Sequence, residues 1–162
     1  MTSESEPASS RAPGAEVREL RPEERAAWLE FRARLWPETP REQLRQEQDH
    51  ILAEPESTGV LFAALSDGEP IGFAEVSIRA WAEGCVTRPV GYIEAWYVIP
   101  EQRRAGMGRL LIDAAERWAR ARGCVEMASD ADPENRTSRS AHRALGYDEV
   151  GMSVLFRKRI AP

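Results

Sequence analysis

Two arginines and two glycines stand together in Arg103-Arg104-Ala105-Gly106-Met107-Gly108, between the aromatic run Tyr92-Ile93-Glu94-Ala95-Trp96-Tyr97-Val98 and the apolar pair Leu110-Leu111. This layout reads as a strand, a bend and an amphipathic helix. Such a bend aims several backbone N–H groups at one point, at the positive end of a helix dipole. Gly106 and Gly108 carry no Cβ, so the chain there can turn tightly and let a bulky anion approach. A ligand bearing a polyphosphate is the expected partner. The bend lacks the Gly-Lys-Ser/Thr ending of a nucleotide-triphosphate loop and the three-glycine dinucleotide fingerprint, which disfavours both.

The elements that must position this bend follow from the patterns on either side. Val17 to Leu20 reads as a first strand, and Pro22 opens a helix in which Trp28, Phe31 and Leu35 recur at helical spacing. Trp36-Pro37 ends it, because a proline biases the preceding residue away from helical angles. Arg41 to Ala53 is predicted as a surface helix with few apolar positions. Between the two helices lies a stiff loop, Trp36 to Pro40. Gly59–Leu65 and Pro70–Arg79 read as a hairpin turning at Ser66-Asp67-Gly68-Glu69. A looser segment, Ala80–Pro89, leads to a strand at Val90–Val98. After the bend come a helix over Gly108–Arg122 stopped by Gly123, a strand at Cys124–Ala128, a helix over Asn135–Leu145, and a last strand or hairpin at 148–159. The order implies a single α/β (α+β) domain with a mixed, mostly antiparallel sheet flanked by helices, and one parallel βαβ unit at its centre.

Composition bounds the function. A chain of 162 residues with 42% hydrophobic and 30% charged content fits one soluble globular domain. No apolar run approaches a membrane span, and residues 1–16 lack the pattern of a secretory signal. They read as a disordered tail, and cytoplasmic residence is the default expectation. Of the net charge of −5, three Glu against one Arg fall in this tail, which leaves a mildly acidic body and argues against a nucleic-acid partner. Cys85 and Cys124 are far apart, and His50 and His142 form no ligand cluster, so no metal is expected.

The bend resembles the pyrophosphate loop of the GNAT superfamily of acyl-CoA-dependent N-acetyltransferases, whose signature is Arg/Gln-x-x-Gly-x-Gly/Ala. The order of elements is similar to that family over almost all of residues 17–160. The resemblance implies acetyl-CoA as co-substrate, with its diphosphate on Arg103, Arg104, Ala105, Gly106, Met107, Gly108 and Arg109. It also implies that the motif strand splays from its neighbour, so that the main chain at Trp96, Tyr97 and Val98 pairs with the pantetheine arm. Simple sheet packing is the bland alternative for Trp96 and Tyr97. Asn135 to Tyr147 is similar to the family's second pattern, in which Asn135 contacts the coenzyme; a helix N-cap is its other reading. Where many members of the family have a tyrosine that protonates the departing sulfur, this chain has His142. An imidazole can also give a proton, or simply pack.

Glu126-Met127-Ala128-Ser129-Asp130-x-x-Pro133-Glu134-Asn135, with Leu35-Trp36-Pro37, Ala74-x-x-Ser77-Ile78-Arg79, Gly84-Cys85 and Phe156-Arg157-Lys158-Arg159, resembles one branch of the aminoglycoside 6'-N-acetyltransferases. The resemblance implies a cationic acceptor, whose ammonium groups require carboxylates. Glu94 and Asp130 stand where the branch places substrate acids, as catalytic or binding groups. Trp36, Thr39 and Trp81 are the expected walls of the pocket. On residue type alone, Glu94 is equally a surface strand position and Asp130 a turn. Trp81 and Gly151 depart from the branch, which has a hydroxyl-bearing aromatic and an acid there; Asp148 or Glu149 lies close enough to compensate. The implied reaction is attack of a 6'-amine on acetyl-CoA in a ternary complex, which would confer antibiotic resistance. Other readings are a GNAT enzyme for another amine, such as a polyamine or a protein N-terminus, and a non-catalytic acyl-CoA-sensing domain. A homodimer is expected, with Met152, Val154 and Phe156 on a shared sheet edge.

Overall fold

The computed structural model describes residues 14–65 and 67–160; most of the expected tail lies outside the described residues. Five strands form one sheet in the order β1-β2-β3-β4-β5, with ranges Ala15–Glu19, Thr58–Leu65, Pro70–Arg79, Val90–Val98 and Met127–Ser129. The first four are antiparallel and β5 runs parallel to β4. Helices α1 (Arg25–Leu35), α2 (Arg41–Ala53), α3 (Met107–Arg120) and α4 (Arg136–Ala144) flank the sheet. The α/β (α+β) expectation, with its mixed and mostly antiparallel sheet, holds.

Each face of the sheet has its own core. On one, Leu111, Ala115 and Trp118 of α3 pack against Leu61, Ala63, Ala74, Val76 and Val98. On the other, Trp28 and Phe31 of α1 pack on Val60, Phe62, Phe73 and Tyr97. Burying each of these large side chains contributes about 1.5–3 kcal/mol, which is why the helical and two-residue periods are legible in the sequence.

Several expectations need correction. Residues 148–159 form no strand; they run irregular and exposed, with Val150, Met152, Val154, Leu155 and Phe156 open to solvent. A strand needs a hydrogen-bonding edge, and apolar alternation cannot say whether one is within reach. The β5 strand starts at Met127, not Cys124, because Cys124 is drawn into the α3 core. α3 stops at Arg120, β1 begins at Ala15, and Pro22–Glu24 is a 3-10 turn ahead of α1. Although α2 has an exposed face, it buries Leu44 and Gln48, and Gln48 donates to the Arg25 carbonyl.

One polar cluster sits in the second core. Arg32 and Glu75 are almost wholly buried and 2.5 Å apart; the indole N–H of Trp28 donates to the same Glu75 oxygen at 2.8 Å. Arg32 also reaches Glu47 of α2. Burial pushes the Glu75 carboxyl up, and the adjacent guanidinium works against that rise. The cluster ties both helices to β3.

Candidate active site

The bend between β4 and α3 has the geometry its residues demand. Gly106 caps α3 at φ 84 and Arg104 sits at φ 62, both left-handed. A Cβ on Gly108 would lie 2.6 Å from the Trp96 ring, so only glycine lets α3 start this close to the strand. Among the described residues, no backbone carbonyl accepts from the amides of Arg104 to Arg109. Donors so placed at a helix N-terminus are suited to cradle an anion. Arg103 is braced inward, donating Nε–H to the Val98 carbonyl at 2.9 Å, and Arg109 donates to Ala144 at the end of α4.

Next to the cradle the sheet opens. Among the described residues β4 and β5 pair only at Gly91↔Met127, Tyr92↔Ala128 and Ile93↔Ser129, so Ala95 to Val98 keep β3 on one side and meet no described strand on the other. The β3–β4 register also shifts: Glu75 faces Ala95 and Val76 faces Ile93, which leaves Glu94 as the extra residue of a bulge. The β4–β5 pairing thus ends at Ile93, just before the residues where the resemblance puts the splay, and the edge at Trp96, Tyr97 and Val98 suits an amide-bearing arm. These features fit a diphosphate-pantetheine ligand such as a coenzyme A.

Both expected acids are oriented. Glu94 is half-exposed and held by Arg79, with Nε at 3.0 Å and Nη2 at 2.7 Å, and by the Ser77 hydroxyl. Asp130 accepts from the Tyr92 hydroxyl at 2.6 Å, and burial together with that carboxylate pushes the Tyr92 phenol up. The Arg79 guanidinium lies 3.3 Å from the Tyr92 ring centre and so joins the two acids. Carboxylates held in place by such hydrogen bonds are positioned to meet a cation.

His142 faces the same region. Its Nδ1 is 2.8 Å from the Ser138 carbonyl, which can only accept, so that nitrogen carries hydrogen. Its Nε2 is 3.0 Å from Ser129 Oγ, at the last paired residue of β5. Trp96 and Tyr147 pack edge-on against the ring. Tyr92, Ser129, Asp130, His142 and Tyr147 border a groove of 1270 Å³ that Val150 also lines.

The other expected residues are more scattered. Trp36 stacks on Arg32 at 4.8 Å, above the buried cluster, and Thr39 closes the same loop through its amide to the Trp36 carbonyl. Trp81 is 57% exposed in the β3–β4 loop, outside the groove lining, and Glu126 secures that loop by accepting from the Val86 and Thr87 amides. Asn135 is an N-cap, accepting from the Ser138 amide at 3.0 Å, which leaves its NH2 free. Sequence reasoning gave Ser77, Arg79, Tyr92 and Ser129 no role in the site. A signal existed for the first two: Glu75, Ser77 and Arg79 are polar at every second position of an otherwise apolar strand. Among the described residues no cluster of three or more metal-binding side chains occurs.

Residues 20–147 match the model of the acetyltransferase (GNAT) family. The chain is 44% identical over 146 residues to the aminoglycoside N(6')-acetyltransferase type 1 of Klebsiella aerogenes, covering 88% of this chain and 95% of that protein. A protein of the same name from Stenotrophomonas maltophilia is 40% identical, with 90% and 94% covered. Among solved structures, AAC(6')-Iy in complex with the bisubstrate analogue CoA-S-monomethyl-acetylneamine superposes with a TM-score of 0.83 at 36% identity, over 90% of this chain and 98% of that one. The 6'-N-acetyltransferase AAC(6')-IG from Acinetobacter haemolyticus superposes at 0.84 with 37% identity, over 90% and 99%. With the arginine-glycine bend, the open edge of β4 and a family match across most of its length, this chain belongs to the GNAT acetyltransferase family.

Proposed function

We propose that the protein transfers the acetyl group of acetyl-CoA to the 6'-amino group of aminoglycoside antibiotics and so confers resistance to them. The carrying observation is the parting of β4 from β5 beside two oriented carboxylates, in a chain similar along nearly its whole length to enzymes named for that reaction. Acetyl-CoA, when bound, supplies the activated acetyl thioester. The amides from Arg104 to Arg109 hold its diphosphate, Asn135 offers its free NH2, and the open edge at Trp96, Tyr97 and Val98 orients the pantetheine arm. Glu94 and Asp130 bind ammonium groups of the acceptor and draw the reacting amine toward the open edge of β4.

His142 manages a proton at the same mouth. Nε2 lies 3.0 Å from Ser129 Oγ, whose hydroxyl donates to the Ile93 carbonyl, so a protonated Nε2 would be the group that gives its proton to the departing sulfur and returns to neutral imidazole. Thiol release on mixing the protein with acetyl-CoA and kanamycin or tobramycin tests the reading. Release with polyamines or peptides but with no 6'-amino drug would overturn it.

The location and assembly follow from the same reading. A reaction that consumes acetyl-CoA belongs in the cytoplasm, where that thioester is made and both free cysteines stay reduced. The protein acts as a homodimer. Its exposed arm carries Met152, Val154 and Phe156 at alternate positions, and among the described residues β5 pairs with β4 alone, so each copy has an apolar arm unpaired with its own sheet and a sheet edge open to the arm of the other. Light scattering on the full chain should give twice the monomer mass, and a monomer throughout the working range would reject the dimer.

A further inference from the structure

A cation of the protein's own already lies between the two acids that the site would offer an acceptor. Arg79 grips both Glu94 oxygens, at 3.0 and 2.7 Å, while its guanidinium rests on the face of Tyr92, whose hydroxyl holds Asp130. We infer that Arg79 is a specificity-determining residue, which keeps the place of a substrate ammonium at Glu94 in the free protein and yields it to a polycationic acceptor. The inference rests on Glu94 and Asp130 being the acceptor-binding acids.

The surroundings of Arg79 permit that exchange. The side chains of Arg79 and Glu94 are 41% and 36% exposed, and ion pairs this open to water are weak and screened. The Arg32–Glu75 pair, at 4% and 5%, has no such freedom. Opening Arg79–Glu94 leaves no buried orphan. Glu94 keeps the Ser77 hydroxyl, and the guanidinium keeps the Tyr92 face and gains water.

Selectivity comes from the arithmetic of charges. An acceptor with one ammonium trades one ion pair at Glu94 for another and gains little. An acceptor with several also reaches Asp130, whose neighbour Tyr92 is a neutral hydrogen-bond donor rather than a counter-ion. Removing Arg79 should therefore help a single-amine acceptor most.

Calorimetry decides the matter, with CoA present, using tobramycin and the single-amine sugar 6-amino-6-deoxyglucose on wild type, R79Q, E94Q and R79Q/E94Q. R79Q should tighten the sugar about fivefold and tobramycin less, in low salt, and the gain should vanish in the E94Q background. Weaker or unchanged binding of both ligands to R79Q, with the circular dichroism and CoA affinity of wild type, would overturn the inference. A gain that persists without the Glu94 carboxylate would also overturn it. Failure of the underlying acid assignment shows separately, as E94Q binding tobramycin like wild type.

Discussion

Strand β3 contributes one member to each of two arginine–glutamate pairs, Glu75 to one and Arg79 to the other, two turns of the pleat apart, and the pairs behave as different objects. Arg32–Glu75 is buried between α1, α2 and the sheet, with Trp28 and Glu47 completing its hydrogen bonds. Arg79–Glu94 lies at the end of the same strand, beside a hydroxyl and an aromatic ring. The chemistry of the partners is the same, and burial separates them. A buried pair is costly to break because either partner left alone is an unsolvated charge. An exposed pair opens at little cost and can be replaced by a ligand's charge. The first therefore builds the scaffold, and the second is free to serve the proposed acceptor site.

The largest effect should come from breaking the buried pair. Glu75→Ala leaves Arg32 with only the partly exposed Glu47 as counter-ion and the buried Trp28 indole N–H without its acceptor, and should cost about 3 kcal/mol in denaturant unfolding. A loss under about 1 kcal/mol would put the two pairs in one class and break the contrast. Next come the acids: Glu94→Gln or Asp130→Asn should raise the KM for a 6'-amino drug roughly tenfold, equivalent to about 1.4 kcal/mol, with acetyl-CoA binding intact. Equal loss of acetyl-CoA affinity would place these carboxylates in the coenzyme site instead. Smaller still is the stability effect of Arg79→Ala, expected between about 0 and 1 kcal/mol by the same unfolding assay.

The smallest prediction concerns alkaline pH and sharpens the role of Tyr92. Burial and the Asp130 carboxylate raise its folded pKa, so the fold favours the protonated phenol. Between the unfolded value of about 10 and the higher folded value the native state binds the extra proton, and stability falls as pH rises through that window. Tyr147, raised by burial and Glu116, adds to the same slope. Tyrosinate absorbance should accordingly show phenols that ionise only above the ordinary range. Full ionisation of all tyrosines near pH 10 would contradict the Tyr92–Asp130 bond.

How far the site was legible depends on how local each feature is. The bend at Arg103–Gly108 could be read because φ values and missing Cβ atoms are properties of adjacent residues. α2, β3 and β4 fall where their periodic patterns placed them. The Tyr92–Asp130 bond joins residues 38 apart and depends on a parallel pairing only three residues long. Arg79 meets Glu94 because a bulge opposite Glu75 and Val76 adds one residue to β4. The polar alternation of Glu75, Ser77 and Arg79 was visible, but it did not say which side chain would be buried.

By itself the sequence determined the arginine-glycine bend, the number and order of the helices and most strands, and the presence of acids next to it that the proposed acceptor would need. These depend on backbone sterics and hydrophobic period, both of which act over a few residues. Only the tertiary structure decided that Glu75 is entombed while Glu94 is accessible, that Arg79 stands between the acids, and that residues 148–160 leave the body without a partner strand. Those outcomes depend on strand register and on which surfaces meet, and solvent exposure at a residue is set by distant parts of the chain.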